Sequence, residues 1–89
     1  MSLADNAWQL HPRVSVRPEP FGALLYHFGT RKLSFLKDRT LLALVEQLAD
    51  APSARAACDA LGIHPQAQAT YLRALETLAA SHMIEERAA

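Results

Sequence analysis

The chain has 89 residues, 51% of them hydrophobic, which provides for one compact domain with a modest core and leaves no room for a second. Nine basic and nine acidic residues cancel, yet residues 13 to 39 hold six basic residues against two acids while residues 40 to 89 hold three against six. A single cysteine, Cys58, excludes an intrachain disulfide and a cysteine-rich zinc site.

Residues 1–12 form an N-terminal arm without a regular pattern, although Trp8 and Leu10 are apolar at strand spacing; the arm either docks on the domain or is disordered. It lacks a basic segment followed by an apolar run, and no stretch of the chain approaches the roughly 20 apolar residues of a membrane span. A cytoplasmic protein without membrane contact is therefore expected. The domain itself is placed at residues 13–83. Arg13-Val14-Ser15-Val16-Arg17 alternates polar and apolar and predicts a half-buried first strand. Pro18-Glu19-Pro20-Phe21-Gly22 follows as a connection, since its prolines donate no backbone hydrogen bonds.

Leu24 to Leu36 predicts a β-hairpin. Gly29-Thr30 suits a two-residue type II′ loop with positive φ at the glycine. That closure sets Phe28 opposite Arg31, His27 opposite Lys32, Tyr26 opposite Leu33, Leu25 opposite Ser34 and Leu24 opposite Phe35. Leu24, Tyr26, Leu33 and Phe35 then share one face, the more apolar one, which is expected to be the core face. Lys32 to Leu36 is the third strand of a meander and so an edge, whose free amides and carbonyls can recruit another strand.

Asp38 is positioned to cap a helix from Arg39 to Ala49 with its stripe at Leu41, Leu44, Val45 and Leu48. Ser53 caps a short helix that ends at Gly62. Pro65 suits the first turn of a third helix reaching about His82, with Leu72, Leu75, Leu78 and Ala79 on one side and Tyr71 beside them. Residues 84–89 read as a frayed C-terminal tail. The fold class is thus α+β: a three-stranded antiparallel meander followed by three helices, winged helix-turn-helix-like.

No catalytic set is evident. His11, His27, His64 and His82 lack the short spacings of a zinc motif, and three glycines are too few for a phosphate-cradling loop. An enzyme, a metal site and a bound cofactor are therefore not expected. A winged-helix regulator that binds DNA is the alternative reading. Between Pro65 and His82, however, only Arg73 is basic and Glu76 offsets it, which leaves a recognition helix poorly equipped for phosphates.

Trp8-x-Leu10-His11-Pro12-x-Val14-x-Val16-Arg17-Pro18-Glu19-x-Phe21-Gly22-Ala23-Leu24-Leu25-Tyr26, followed by Arg31-Lys32-Leu33-Ser34-Phe35-Leu36, closely resembles the small peptide chaperones of mycofactocin biosynthesis. These are recognition elements for ribosomally made precursor peptides, related to the peptide chaperone of pyrroloquinoline quinone biosynthesis. The resemblance implies a non-catalytic domain that binds a precursor peptide along its third strand and presents it to a radical S-adenosylmethionine maturase, which acts on the peptide's C-terminal Val-Tyr end. It implies a docking strand of Lys32, Leu33, Ser34, Phe35 and Leu36, faced by Gln68, Tyr71, Leu72 and Leu75 of the third helix. Arg31, Lys32, Lys37 and Arg73 become candidates for pairing with acidic residues of the precursor. Nucleic acid is not an expected partner, and a homodimer through the edge strand stays open.

Overall fold

The computed structural model describes residues 3–87; Met1, Ser2, Ala88 and Ala89, at the ends of the predicted arm and tail, lie outside the described residues. Strands β1 (Trp8–Leu10), β2 (Val14–Glu19), β3 (Gly22–His27) and β4 (Leu33–Leu36) are followed by helices α1 (Arg39–Gln47), α2 (Ala54–Ala60) and α3 (Pro65–Ala80) and by β5 (Ile84–Glu86). The antiparallel sheet β2-β3-β4 followed by three helices gives the expected α+β fold. One element is additional: Trp8–Leu10 of the arm pairs antiparallel with Ile84–Glu86 in a separate two-stranded sheet. Glu85 and Glu86 are therefore not a frayed tail. Gln9 Nε2 donates to Glu85 at 2.8 Å, the Arg87 amide donates to the Ala7 carbonyl at 2.9 Å, and the Arg87 guanidinium donates to the carbonyls of Ala49 and Ala51. Met83 and Ile84, just after α3, are fully buried, so the end of the chain contributes to the core.

The hairpin register is the predicted one: Leu24 faces Phe35, Leu25 faces Ser34 and Tyr26 faces Leu33. The loop differs. It spans four residues, Phe28 to Arg31, with the Arg31 amide donating to the His27 carbonyl at 2.7 Å, and the positive φ of 62° falls on Arg31 rather than on Gly29. His27 and Lys32 remain opposite either way, which is why the register survives. What Gly29 provides is space, because a Cβ there would come within 2.8 Å of the His27 ring.

The core face of the sheet is the opposite of the expected one. Ala23, Leu25, His27 and Leu36 are buried, whereas Leu33 and Phe35 are 53% and 60% exposed. Only two residues separate Leu36 from α1, so the helix folds back on the side to which Leu36 points. Leu44, Val45 and Leu48 pack there in one cluster with Ala23, Leu25 and Leu36. Ala23 and Leu36 extend the inner set beyond the four pairs that made the other face look more apolar, and His27 is tied to the hairpin through one ring nitrogen, while its Nε2 is buried without a hydrogen-bond partner. Its Nδ1 accepts the amides of Gly29 at 2.9 Å and Thr30 at 3.0 Å, which caps the hairpin loop. Burial, with the nearby His11, His82 and Arg13, holds the imidazole below its ordinary pKa and hence neutral.

The helices start where predicted. Asp38 accepts the Thr40 amide at 2.8 Å and Ser53 accepts that of Ala56 at 3.1 Å. His64, whose capping role the sequence reading missed, accepts the amide of Gln66 at the start of α3. Asp38 does more than cap α1, for Tyr71 of α3 donates its hydroxyl to the other carboxylate oxygen at 2.5 Å. That bond ties the end of β4 to α3. It also lowers the Asp38 pKa below its ordinary value and raises that of Tyr71. Gly22 secures the same corner from the sheet side: a Cβ there would lie 2.0 Å from the Leu36 carbonyl oxygen, so the chain closes on β4 only without a side chain.

Two outcomes are expected. Since folded His27 titrates below the usual 6.5, its neutral form contributes stability above that pH, and this is lost as pH falls through 6.5 toward the folded value. Thermal melts should show that acid loss in the parent and a weaker one in His27→Asn, whose amide oxygen can accept the loop amides without titrating. Tyr71→Phe should cost about 1–2 kcal/mol in denaturant titrations, because it deletes a bond to a charged group that is partly exposed. An NMR titration of the same variant should place Asp38 nearer its ordinary 3.8. The stability gap between parent and variant should then close as Asp38 is protonated below that pH.

Candidate functional site

The site grows out of which backbone groups of β4 the sheet uses. In an antiparallel pair, bonded and non-bonded residue pairs alternate. The His27 amide donates to the Lys32 carbonyl at 3.0 Å, so His27–Lys32 is a bonded pair, and with the observed register Leu25–Ser34 and Ala23–Leu36 are bonded as well. The Phe28 amide, which donates to Arg13 on the other side of β3, fits the same alternation. Ser34 and Leu36 therefore direct their backbone groups to β3. Leu33 and Phe35 direct theirs to the free edge, where no further strand follows in the sheet.

Beside that edge lies a groove of about 340 Å³ between β4 and the C-terminal half of α3. Ser34, Phe35 and Leu36 line it from the strand, Leu41 from α1, and Ala74, Thr77 and Leu78 from α3. Ala74, Thr77 and Leu78 recur at helical spacing, and the two small side chains leave the space that larger ones would fill. The walls are mainly apolar, and the Ser34 hydroxyl and the Thr77 hydroxyl add polar groups. The Thr77 hydroxyl donates weakly to the Arg73 carbonyl within its own helix, at 3.3 Å.

The sequence-derived candidates divide into those near this groove and those placed elsewhere. Ser34, Phe35 and Leu36 line it, and Leu33 contributes to the free edge. Tyr71 stands one turn before Ala74 on the same side of α3, fixed by its bond to Asp38. Gln68 is buried and holds the α2–α3 turn together, donating to Asp59 at 2.8 Å and to the Ile63 carbonyl at 3.1 Å. Leu75 is fully buried in the core, and Leu72 packs half-buried against it. Arg31, Lys32, Lys37 and Arg73 are exposed, and none forms an ion pair among the described residues. Leu41, Leu78, Ala74 and Thr77 also line the groove and are not among the sequence-derived candidates. The signal for the last two was available as small residues beside a leucine stripe.

The histidines do not converge into a ligand set. His11 and His27 approach with ring centroids 4.4 Å apart, but His11 also accepts the Arg13 amide and stands 3.8 Å from Glu85. Among the described residues no group of three or more His, Cys, Asp or Glu is arranged to hold a metal ion, and no helix is long and apolar enough to cross a membrane. Cys58 is buried, and burial raises its thiol pKa, which makes it an inert core residue.

The family model described as the Peptide chaperone MftB family matches residues 7–85, from just before β1 into β5. The peptide chaperone MftB of Mycobacterium ulcerans is 64% identical over 80 residues, covering 90% of this chain and 73% of that protein. Its counterpart from Mycobacterium tuberculosis is 61% identical over 83 residues, covering 93% of this chain and 76% of that protein. The protein of the same description from Mycolicibacterium smegmatis is 60% identical over 80 residues. No solved structure gives a significant match. With identity of this order running through both sheets and all three helices, the chain belongs to the Peptide chaperone MftB family, whose role is binding rather than catalysis.

Proposed function

We propose that this chain binds a ribosomally made precursor peptide as an added antiparallel strand on the free edge of β4 and presents it to the radical S-adenosylmethionine maturase of mycofactocin biosynthesis. The observation that carries the reading is the coincidence of two features on β4: backbone groups of Leu33 and Phe35 that no strand satisfies, and a mainly apolar groove beside them. Main-chain bonds to Leu33 and Phe35 give affinity without regard to sequence, and side chains entering the groove give selectivity. Alternate peptide residues face Ser34, Leu36, Ala74 and Leu78, which favours small or medium aliphatic side chains at those positions. Arg31, Lys32, Lys37 and Arg73 surround the docking strand and meet acidic residues of the peptide, with Tyr71 and Leu72 toward the N-terminal part of α3. Gln68 and Leu75 act from behind, by fixing the helix that forms the far wall.

The same edge can pair with its copy, so a homodimer through β4 competes with peptide rather than adding to it. A role on DNA draws little support from α3, where Arg73 is the one Lys or Arg between Pro65 and Ala80. Chemistry on the peptide belongs to the maturase. The chaperone's contribution is to hold an otherwise unstructured substrate extended, which removes ordering entropy before the enzyme meets it.

Proline substitution tests the strand addition. Phe35→Pro removes an amide that the sheet does not use, on an edge strand where proline is tolerated, and its side chain is mostly exposed. This variant should fold like the parent by circular dichroism and bind the precursor at least about tenfold more weakly by calorimetric titration, the equivalent of about 1.4 kcal/mol. Ser34→Pro removes the amide bonded to Leu25 and should instead lower the melting temperature. A Phe35→Pro variant that folds and binds like the parent would place the peptide elsewhere.

A further inference from the structure

Strand addition leaves one large surface unused. The sheet face turned away from the helices carries Phe21, Leu24, Tyr26, Phe28, Leu33 and Phe35, and four of these are conspicuously open: Phe28 at 61% exposure, Phe35 at 60%, Leu33 at 53% and Phe21 at 46%. The aromatic rings are organised in pairs. Phe21 and Phe35 lie 6.3 Å apart, and Tyr26 meets Phe28 edge-on at 4.8 Å. A contiguous aromatic and aliphatic face of this kind is a surface that a partner protein covers, and aromatic side chains are enriched in the centres of such interfaces.

Two observations say what kind of partner. The first is charge. The segment from Arg13 to Arg39, which includes the sheet, holds six basic residues against two acids; Lys32, opposite buried His27, belongs to the other face, but Arg13, Arg31 and Lys37 form no ion pair among the described residues. Arg17, on this face opposite Leu24, is 77% exposed although it pairs with Glu19. A second copy seated here would set one basic rim against another, since two-fold pairing brings the same patch to both sides. An acidic rim is what this face matches.

The second observation is continuity with the peptide edge. Leu33 and Phe35 belong to this face through their side chains and to the free edge through their backbones. A strand added beside them extends the face, so a protein seated there touches the outward side chains of the bound peptide as well. We infer that the aromatic outer face of the sheet is the docking surface for the maturase, which meets it with an apolar centre and an acidic rim. The assignment rests on the strand-addition reading for its choice of occupant.

The test uses the double variant Phe21→Ser/Phe28→Ser, both positions off β4, and the single variant Arg17→Glu on the same face. Each is titrated with the precursor peptide and, separately, with the purified radical S-adenosylmethionine maturase in the presence of that peptide. Peptide affinity should stay within about two-fold of the parent while maturase affinity falls by at least about tenfold, and modification of the peptide should slow accordingly. Arg17→Glu keeps every aromatic side chain and so reads the charge half even where the double variant does not fold. Parental maturase affinity in a folded double variant overturns the docking surface, and parental affinity in Arg17→Glu overturns the acidic rim. A parent that sediments as a dimer, with Phe21→Ser/Phe28→Ser monomeric and still binding the maturase, overturns it in favour of a second copy. A parent that binds no peptide while the variants still lose the maturase counts against strand addition alone, so the two failures separate.

Discussion

An antiparallel edge strand satisfies only every other residue, and the arrangement of this molecule follows from which residues of β4 are left over. Ser34 and Leu36 spend their backbone groups on β3, and the Leu36 side chain enters the core beneath α1. Leu33 and Phe35 have backbone groups without a strand and side chains without a core. Natural proteins usually blunt such an edge. Here the blunting is partial: Lys32 and Lys37 flank the strand, which discourages pairing with another basic edge but not with an acidic or neutral peptide.

The remaining parts of the fold keep that edge in place. Asp38 both caps α1 and receives the Tyr71 hydroxyl, so one carboxylate fixes the spacing between β4 and the helix that forms the far wall of the groove. Gln68 fixes the start of α3 through Asp59 and Ile63, while β5 carries the chain from the end of α3 back to the N-terminal arm. His27 holds the hairpin loop by accepting two of its amides while remaining neutral and buried. Together these contacts hold strand and helix at the separation that leaves a groove.

Elements with periodic sequence were legible beforehand, and elements defined by long-range contact were not. The meander, the register of its second hairpin, the three helices and the caps at Asp38 and Ser53 follow from alternation, helical spacing and capping chemistry, whereas Pro18 and Glu19, expected in a connection, extend the first strand of the meander opposite Ala23 and Gly22. The inner face of the sheet was misread because Leu24, Tyr26, Leu33 and Phe35 outweigh Leu25, His27, Lys32 and Ser34 in hydrophobicity. Burial is decided instead by where the short link after Leu36 returns α1. The β1–β5 pair was invisible for a related reason: three-residue strands nearly a chain length apart have too little pattern to be recognised. In the groove, β4 was named from its edge position, but periodicity alone could not separate Leu75, which faces the core, from Ala74 and Thr77, which face the space beside it.

Amide hydrogen exchange resolved residue by residue, in the free chain and in the chain saturated with precursor peptide, tests the central claim most directly. The account predicts that Ser34 and Leu36 are protected in both states, whereas Leu33 and Phe35 exchange freely alone and become protected when peptide is bound. Unchanged exchange at Leu33 and Phe35 in the saturated complex would contradict strand addition at β4.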